Sequence, residues 1–315
     1  MNIVLLESLG ISEDVLKGYA EKIKEAGHNF YAYEKTTDVE KLTEEAKDAD
    51  VLILANMPLP GEVILACNHL KYIDVAFTGV DHVDLEAARK MGVSVSNASG
   101  YSNDSVAELT LCMVLTLLRN VREVEEECRQ GGTKEGLVGS ELRGKTVGII
   151  GTGAIGTRSA QLCRAFGCRT IAYNGFSHKE NTEEMTYLPL KELLEQSDVV
   201  LLHCPVSEQS RNLINKDTIS HMKNTAILVN VARGPVVNSL DLARALNEGR
   251  IAGAAIDVFE QEPPIKEDHP LLCAKNVLVT PHVAFATKES MEKRAAIVFD
   301  NLKQWMHGNV ANRVL

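Results

Sequence analysis

The 315-residue chain lacks the features that mark several classes of protein. Its seven cysteines include no C-x-x-C pair and are odd in number, which argues against a disulfide framework and favours a reducing compartment. Basic residues are fewer than acidic ones. The resulting net charge of −10 argues against nucleic acid as a partner, because phosphate binding needs a basic surface.

A long apolar run and a targeting segment are also missing. The longest apolar stretch, residues 109–118, is interrupted by two threonines and is too short to span a bilayer. The N-terminus, MNIVLLESLG, has no basic region and soon turns acidic, so it is not typical of a signal peptide. We therefore expect a cytoplasmic protein with no membrane partner.

The stretch TVGIIGTGAIG at 146–156 has the pattern of a phosphate-binding turn between a strand and a helix. Its apolar start predicts a buried strand. Gly151, Gly153 and Gly156 then follow in G-x-G-x-x-G spacing. The first permits a tight turn, the second lets backbone approach a pyrophosphate, and the third lets the helix pack on the strand. Because a helix N-terminus offers free N–H groups to phosphates, the stretch predicts a dinucleotide site.

Strand and helix patterns alternate along the chain in two series, which predicts an α/β protein of two doubly wound domains. The first series occupies residues 1–100. The second begins at residue 145 and contains six predicted strands, the number in a complete dinucleotide-binding sheet. Between the two series we predict one long helix over 102–122 and a polar surface arm over 123–141.

The last predicted helix, residues 288–307, follows the second series and would return the chain to the first domain. We therefore expect a discontinuous substrate domain, residues 1–100 and 287–315, and a cofactor domain at 101–286. Two crossovers would form a hinge, with a ligand in the cleft between the domains.

Groups that could carry chemistry follow three successive strands of the second series. Arg233 comes after the strand that ends at Asn230, acids at 257–262 come after the next, and His282 comes after the last. The carboxyl ends of parallel strands meet at the edge of the sheet where ligands bind, and the glycine turn lies there too. Each group alone also fits a structural explanation: an arginine in a turn, a solvated acidic loop and a structural histidine.

The chemistry that uses such a set beside a dinucleotide is hydride transfer at a 2-oxo acid. Arg233 would bind the substrate carboxylate with its planar fork and polarise the C2 carbonyl. Protonated His282 would give a proton to the carbonyl oxygen and take it back in the oxidising direction. Glu262 would hold the histidine ring.

Five stretches, in this order and spacing, resemble the D-isomer-specific 2-hydroxyacid dehydrogenase family over nearly the whole chain. They are GTGAIG at 151–156, HCP at 203–205, NVARG at 230–234, DVF at 257–259 with Glu262-Pro263, and PHVAF at 281–285. The resemblance implies a Rossmann cofactor domain and a flavodoxin-like substrate domain. It also implies a homodimer joined through the cofactor domains, with the arm after Val121 at the interface.

The resemblance further implies which residues act on the ligands. Arg233, Glu262 and His282 are expected to be catalytic, and no metal ligand is expected. Cofactor contacts are expected from Gly151, Gly153, Ala154, Ile155, Gly156, Asn174, Cys204, Pro205, Ser210, Val231, Ala232, Asp257 and Ala284. Substrate contacts are expected from Asn56, Gly79 and Val80, together with Arg233 and His282.

Residues 97–108 and 281–287 are most similar to the hydroxypyruvate reductase (glycerate dehydrogenase) branch of the family. This similarity implies a small 2-oxo acid such as hydroxypyruvate or glyoxylate. The substrate-side loop Asn56-Met57-Pro58 contains no basic residue, so a phosphorylated substrate is not expected.

Position 174 departs from the family's pattern. An acid at the end of the second strand usually selects NAD by binding the ribose hydroxyls and repelling a 2′-phosphate, but here the residue is Asn174. No arginine follows to bind that phosphate, although Ser177, His178 and Lys179 are available. We therefore expect NAD, with NADP open. A non-catalytic dinucleotide-sensing protein of the corepressor-like type remains the alternative function, because such relatives keep the same motifs.

Overall fold

The computed structural model describes residues 1–175, 179–261 and 264–315 and divides the chain into two compact units. Unit 1 comprises Met1–Ser102 and Ala286–Leu315, and unit 2 comprises Asn103–Phe285. Unit 1 is therefore built from both ends of the chain, and unit 2 is one continuous segment.

Strands and helices alternate through the described residues. The strands are β1 (Asn2–Leu5), β2 (Asn29–Ala32), β3 (Val51–Leu54), β4 (Tyr72–Val75), β5 (Ser94–Asn97), β6 (Thr146–Ile150), β7 (Arg169–Tyr173), β8 (Thr186–Tyr187), β9 (Val199–Leu202), β10 (Ile227–Asn230), β11 (Gly253–Ile256) and β12 (Val277–Val279). The helices are α1 (Glu13–Glu25), α2 (Val39–Ala46), α3 (Gly61–Ala66), α4 (Leu85–Met91), α5 (Asn103–Leu118), α6 (Val121–Arg129), α7 (Ala154–Ala165), α8 (Leu190–Gln196), α9 (Lys216–Ile219), α10 (Ser239–Asn247) and α11 (Lys288–Met306). Two short 3-10 turns lie at Gly234–Val236 and Pro270–Leu272.

Unit 1 contains a parallel sheet with the strand order β2-β1-β3-β4-β5. All four residues of β3 and of β4 are buried, as expected for strands covered on both faces by helices. The order reverses direction at β1, which lies between β2 and β3. This is the doubly wound order of flavodoxin-like proteins, and it confirms the predicted fold class.

Unit 2 contains a second parallel sheet, with the order β12-β11-β10-β9-β6-β7-β8. Counted from β6, the strands run 7-6-5-4-1-2-3, which is the dinucleotide-binding order with one more strand at an edge. The prediction of six strands is therefore wrong for the described residues. The strand that it missed, Thr186–Tyr187, has only two residues and pairs with Ile171 and Ala172, so it has no hydrophobic run of its own.

The single helix predicted over 102–122 is also wrong, because the chain breaks between α5 and α6. Asn120 takes a left-handed conformation with φ of 49°, which asparagine adopts more readily than most residues. Its side-chain amide donates a hydrogen bond to the Leu137 carbonyl oxygen at 3.2 Å. The segment predicted as a polar arm thus begins with α6, which has no buried residue.

A buried carboxyl group joins α11 to the sheet of unit 1. Asp74 in β4 is fully buried, and its Oδ1 accepts a hydrogen bond from Asn301 Nδ2 at 3.1 Å. Its Oδ2 has no hydrogen-bond partner among the described residues. Burial raises the pKa of Asp74 to about 8, against the opposing effect of the Asn301 amide. The Asp74 carboxyl is therefore protonated in the folded protein at neutral pH.

This protonation predicts that unit 1 loses stability as the pH rises from ~4 to about 8. The unfolded chain loses the Asp74 proton near pH ~4 while the folded chain keeps it, so the free energy of unfolding falls as pH rises toward the folded pKa. Asp74→Asn resembles the protonated carboxyl in shape and removes this dependence. Urea unfolding of the two proteins at about pH 5 and about pH 9 should show the variant gaining stability relative to the wild type at the higher pH. An equal pH dependence in both proteins would contradict a protonated Asp74.

Candidate active site

The glycine turn at the end of β6 is shaped by close backbone contacts. Gly151 has a φ of +95°, and a Cβ there would lie 2.7 Å from the Cys204 backbone nitrogen. A Cβ on Gly156 would lie 2.0 Å from the Gly151 carbonyl oxygen. Both positions therefore exclude a side chain, and α7 packs directly against the end of the strand. The helix begins at Ala154, inside the glycine turn itself.

Gly153 differs from the other two glycines because open space surrounds it. It precedes α7, and a Cβ built on it would meet no atom within 4 Å. A cavity of about 530 Å³ lies here, and its lining includes Thr152, Gly153, Ala154 and Thr157. Ala154 and Ile155 form the first turn of α7, where backbone N–H groups lack partners within the helix. The turn therefore fits the pyrophosphate of a dinucleotide, as the sequence predicted.

The loop after β7 brings a cation to the glycine turn. Asn174 directly follows β7, and Phe176, Ser177 and His178 lie outside the described residues. Lys179 Nζ donates a hydrogen bond to the Thr152 carbonyl oxygen at 2.5 Å and lines the same cavity. The other cation in that lining, Arg158, is paired with Asp104 at 2.7 Å.

The end of β9 adds a residue to which the sequence analysis assigned no role. His203 lies beside the turn, 3.3 Å from where a Gly156 Cβ would be. Burial lowers the pKa of His203 to about 4, so its ring is neutral. Its Nε2 is buried and has no hydrogen-bond partner in the described part of the chain. The signal for this residue was its position at the end of the strand next to β6, where the strand order reverses.

Several predicted cofactor residues are buried beneath this edge of the sheet. Burial raises the pKa of the Cys204 thiol to about 11, so the thiol stays protonated. Ser210 is fully buried, and its hydroxyl closes its own loop by donating to the Pro205 carbonyl oxygen at 2.7 Å. Val231 and Ala284 are buried as well, whereas Ala232 is partly exposed and Pro205 is exposed. The buried side chains among them form the base of the predicted cofactor site.

Arg233 lies in a loop that is tightly held after β10. The Asn230 side chain bridges this loop: its Oδ1 accepts from the Ala232 backbone N–H at 3.1 Å and its Nδ2 donates to the Arg233 carbonyl oxygen at 3.0 Å. A Cβ on Gly234 would lie 1.9 Å from the Phe259 carbonyl carbon. The loops after β10 and β11 are therefore in contact, and Arg233 is only partly exposed beside them.

Asp257 organises the loop that carries His282. Asp257 is fully buried, and its Oδ1 accepts hydrogen bonds from Thr280 Oγ1 at 2.5 Å and the Val283 N–H at 2.9 Å. Its Oδ2 accepts from the Ala284 N–H at 2.9 Å. Within this loop His282 takes a left-handed φ of 55°, and its own N–H donates to the Asp257 carbonyl oxygen at 2.7 Å. The histidine conformation thus depends on a carboxylate from the neighbouring strand.

The third predicted catalytic residue, Glu262, lies outside the described residues. The nearby acid Glu260 is paired with a different histidine, His269, with 3.1 Å between Oε2 and Nε2. Burial opposes ionisation of Glu260, but hydrogen bonds from Ser239 and His269 outweigh it and lower the pKa. Glu260 is therefore an ionised partner of His269.

The predicted substrate residues lie at the carboxyl edge of the sheet in unit 1. Asn56 is the second residue after β3, and Gly79 and Val80 lie in the loop after β4. Asn97 Nδ2 donates to the Thr78 carbonyl oxygen at 2.7 Å and so fixes that loop against the end of β5.

Two other features are absent from the described ranges. None of the helices there has the length and apolarity to cross a membrane. Nor do three or more His, Cys, Asp or Glu side chains in those ranges come together as a metal site would require.

Comparison with known proteins identifies relatives of this arrangement. Residues 111–284 match the family model described as D-isomer specific 2-hydroxyacid dehydrogenase, NAD binding domain. A hydroxypyruvate reductase from Blautia hydrogenotrophica is 35% identical over 294 residues, covering 90% of each chain. A glyoxylate reductase from Korarchaeum cryptofilum is 36% identical and covers 85% of this chain and 83% of its own. The crystal structure of Aquifex aeolicus D-lactate dehydrogenase with NAD and lactic acid has a TM-score of 0.87 and 31% identity, covering 100% of this chain and 99% of its own.

The contrast between Gly153 and Gly156 predicts two different outcomes for the same substitution. Gly153→Ala should leave the melting temperature unchanged, because open space receives the methyl group, but should weaken dinucleotide binding by at least about 10-fold by blocking the phosphate. Gly156→Ala, the matched control, should also lower the melting temperature, because its Cβ overlaps the Gly151 carbonyl. NADH and NADPH fluorescence titration and thermal unfolding measure these effects. Full dinucleotide affinity in Gly153→Ala would exclude the turn as the phosphate site.

Proposed function

This chain belongs to the D-isomer-specific 2-hydroxyacid dehydrogenase family, and from that premise we propose that it reduces a small 2-oxo acid, of the hydroxypyruvate or glyoxylate kind, to the D-2-hydroxy acid. The protein is an oxidoreductase that uses a nicotinamide dinucleotide. The relatives named as hydroxypyruvate and glyoxylate reductases support the substrate class.

One observation carries the proposal: neighbouring strands of unit 2 present Arg233 and His282 at the edge that bears the glycine turn. β10, β11 and β12 are adjacent, and both side chains leave from their carboxyl ends. Asp257 lies between them and fixes the backbone of the His282 loop. Catalysis needs such fixed positions, because a misplaced proton donor loses most of its effect.

The proposed roles follow from the chemistry of the two side chains. Arg233 binds the substrate carboxylate through paired N–H donors and draws electron density from the C2 carbonyl. His282, when protonated, donates its proton to the carbonyl oxygen as that atom gains negative charge. In the oxidising direction the neutral ring removes the hydroxyl proton. Glu262 is proposed to hold the His282 ring in position for both directions.

A nicotinamide, when bound, would supply the hydride for this reaction. The residues that would hold the dinucleotide are the glycine turn and the first turn of α7, with Asn174 at the ribose. Asn174 bonds a hydroxyl without repelling a 2′-phosphate, and Lys179 adds a cation beside the turn. We propose NAD as the cofactor, with NADP also compatible with these two residues.

Unit 1 is proposed to supply the remaining substrate contacts. Backbone N–H groups of Gly79 and Val80 would bind the substrate carboxylate, and Asn56 would face the rest of the substrate. Unit 2 would then act as the cofactor domain and unit 1 as the substrate domain.

We further propose a homodimer that functions in the cytoplasm. α6 has no buried residue and carries Val121 and Val124, which are 48% and 37% exposed, and the segment after it includes Val138, which is 80% exposed. A subunit interface would cover these apolar groups. The seven cysteines are free thiols, which suits a reducing compartment.

The first test is reduction of 2-oxo acids, followed by loss of absorbance at about 340 nm. We expect activity with hydroxypyruvate or glyoxylate and with at least one of NADH and NADPH. Hydroxypyruvate should give only the D isomer of its 2-hydroxy acid, whereas the product from glyoxylate has no stereocentre. Pyruvate and branched 2-oxo acids complete the panel. Dinucleotide binding without turnover of any acid would instead support the sensor alternative.

The second test concerns His282. His282→Ala should lower kcat by ~10²–10⁴-fold, because the carbonyl oxygen loses its proton donor, while dinucleotide affinity stays unchanged. His221→Ala is the matched control, since that ring lies 3.8 Å from Glu195 and has no proposed role in catalysis. Steady-state kinetics and fluorescence titration provide the measurements. Undiminished kcat in His282→Ala would remove this residue from the mechanism.

A further inference from the structure

The sheet of unit 1 has its own point at which the strand order reverses. β2 lies on one side of β1, and β3 to β5 lie on the other. Loops that leave neighbouring strands in opposite directions open a crevice at the carboxyl edge, where α/β proteins bind ligands. Glu7 follows β1 at this point, and Asn56 follows β3. The chemistry of these two loops therefore bears on what unit 1 binds.

Glu7 fixes the backbone on both sides of Asn56. It is 4% exposed, and its Oε1 accepts hydrogen bonds from the Ala55 and Met57 N–H groups, each at 2.8 Å. Met57 is itself fully buried, whereas Asn56 remains partly exposed. The Asn56 side chain is thus presented from a rigid position rather than from a mobile loop tip.

A lysine from a third loop reaches the same place. Lys35 follows β2, and its Nζ lies 3.3 Å from Asn56 Oδ1 and 3.7 Å from Glu7 Oε2. Its side chain remains 50% exposed. The loop 56–58 contains no basic residue, which was the reason not to expect a phosphorylated substrate. The tertiary structure nevertheless brings a cation beside this loop, from 21 positions earlier in the chain.

Lys35 is not the only cation that interacts with the Glu7 carboxylate. Arg294 of α11 is 4% exposed and is electrostatically attracted to Glu7, while its Nη2 donates to the Leu9 carbonyl oxygen at 2.7 Å. One buried carboxylate therefore faces two cations, of which Lys35 is the exposed one. An ammonium group has three donors, and Asn56 and Glu7 occupy at most two of them. Lys35 keeps a donor for an oxygen atom of a ligand.

We propose that Lys35, held in position by its hydrogen bond to Asn56, donates a hydrogen bond to an oxygen on C3 of the substrate. The enzyme would thereby select hydroxypyruvate over pyruvate. The inference rests on the proposed function, since it concerns the part of the 2-oxo acid that does not react. Pyruvate has the same carboxylate and carbonyl but no oxygen on C3. It therefore cannot accept this bond.

A purely structural role for Lys35 makes a different prediction. The separation from Glu7 is long for an ion pair and the lysine is half exposed, so the pair adds little to stability. If Lys35 served only to neutralise Glu7, its loss would affect all substrates equally. The ratio of kcat/KM for hydroxypyruvate to that for pyruvate separates the two explanations.

The experiment measures this ratio in the wild type and in Lys35→Met, which keeps the aliphatic stem and removes the donor. We expect the wild type to favour hydroxypyruvate, and the variant to lose ~10- to 100-fold in kcat/KM for hydroxypyruvate, the value of a charged hydrogen bond, with pyruvate nearly unchanged. Lys35→Arg should restore part of the preference. Lys71→Met is the matched control, because Lys71 pairs with Asp50 at 2.8 Å just before β4, at the opposite edge of the same sheet.

Two results would overturn the inference. They are a wild type that prefers pyruvate, and a ratio that stays constant in Lys35→Met, whether both activities are retained or both fall equally. Should Lys35→Met fail to fold, Lys35→Gln is measured in the same way. A wild type that reduces no 2-oxo acid would contradict the proposed function itself. By contrast, activity without preference for hydroxypyruvate contradicts only the role of Lys35.

Discussion

The contact between Gly156 and the Gly151 carbonyl sets the geometry on which unit 2 depends. Because there is no room for a Cβ between them, α7 lies directly on the end of β6 and begins at the turn itself. The N-terminus of the helix therefore opens at the carboxyl edge of the sheet. The other described residues proposed to act in unit 2 lie along that edge, since parallel strands all end there.

Both units use the same device to stiffen this edge. A buried carboxylate from one strand end accepts hydrogen bonds from two backbone N–H groups of the loop after the neighbouring strand. In unit 1 Glu7 holds Ala55 and Met57, and in unit 2 Asp257 holds Val283 and Ala284. In each case the backbone N–H donors replace part of the hydration that the carboxylate loses on burial. Each one thereby positions a side chain of proposed function in the loop that it holds.

The errors of prediction share a physical cause. The break at Asn120 and the two-residue strand β8 have weak local signals, because a helix pattern continues across the first and no apolar run marks the second. Asp257 was expected only to contact the cofactor. Its hydrogen bonds to the His282 loop span more than 20 positions in the chain, and no local pattern reports them. Arg233 and His282, by contrast, follow predicted strands directly, so their edge of the sheet was predictable.

The sequence by itself determined the fold class, the glycine turn, the family and the order in which chemical groups follow the strands of unit 2. These features are encoded locally, in apolar runs, glycine spacing and residues adjacent to strand ends. Only the tertiary structure decided that Lys179 reaches the glycine turn, that His203 lies buried beside it and that Lys35 meets Asn56 and Glu7. These contacts depend on which strands become neighbours and on how long side chains extend from one loop to another. The spacing of residues along the chain determines neither.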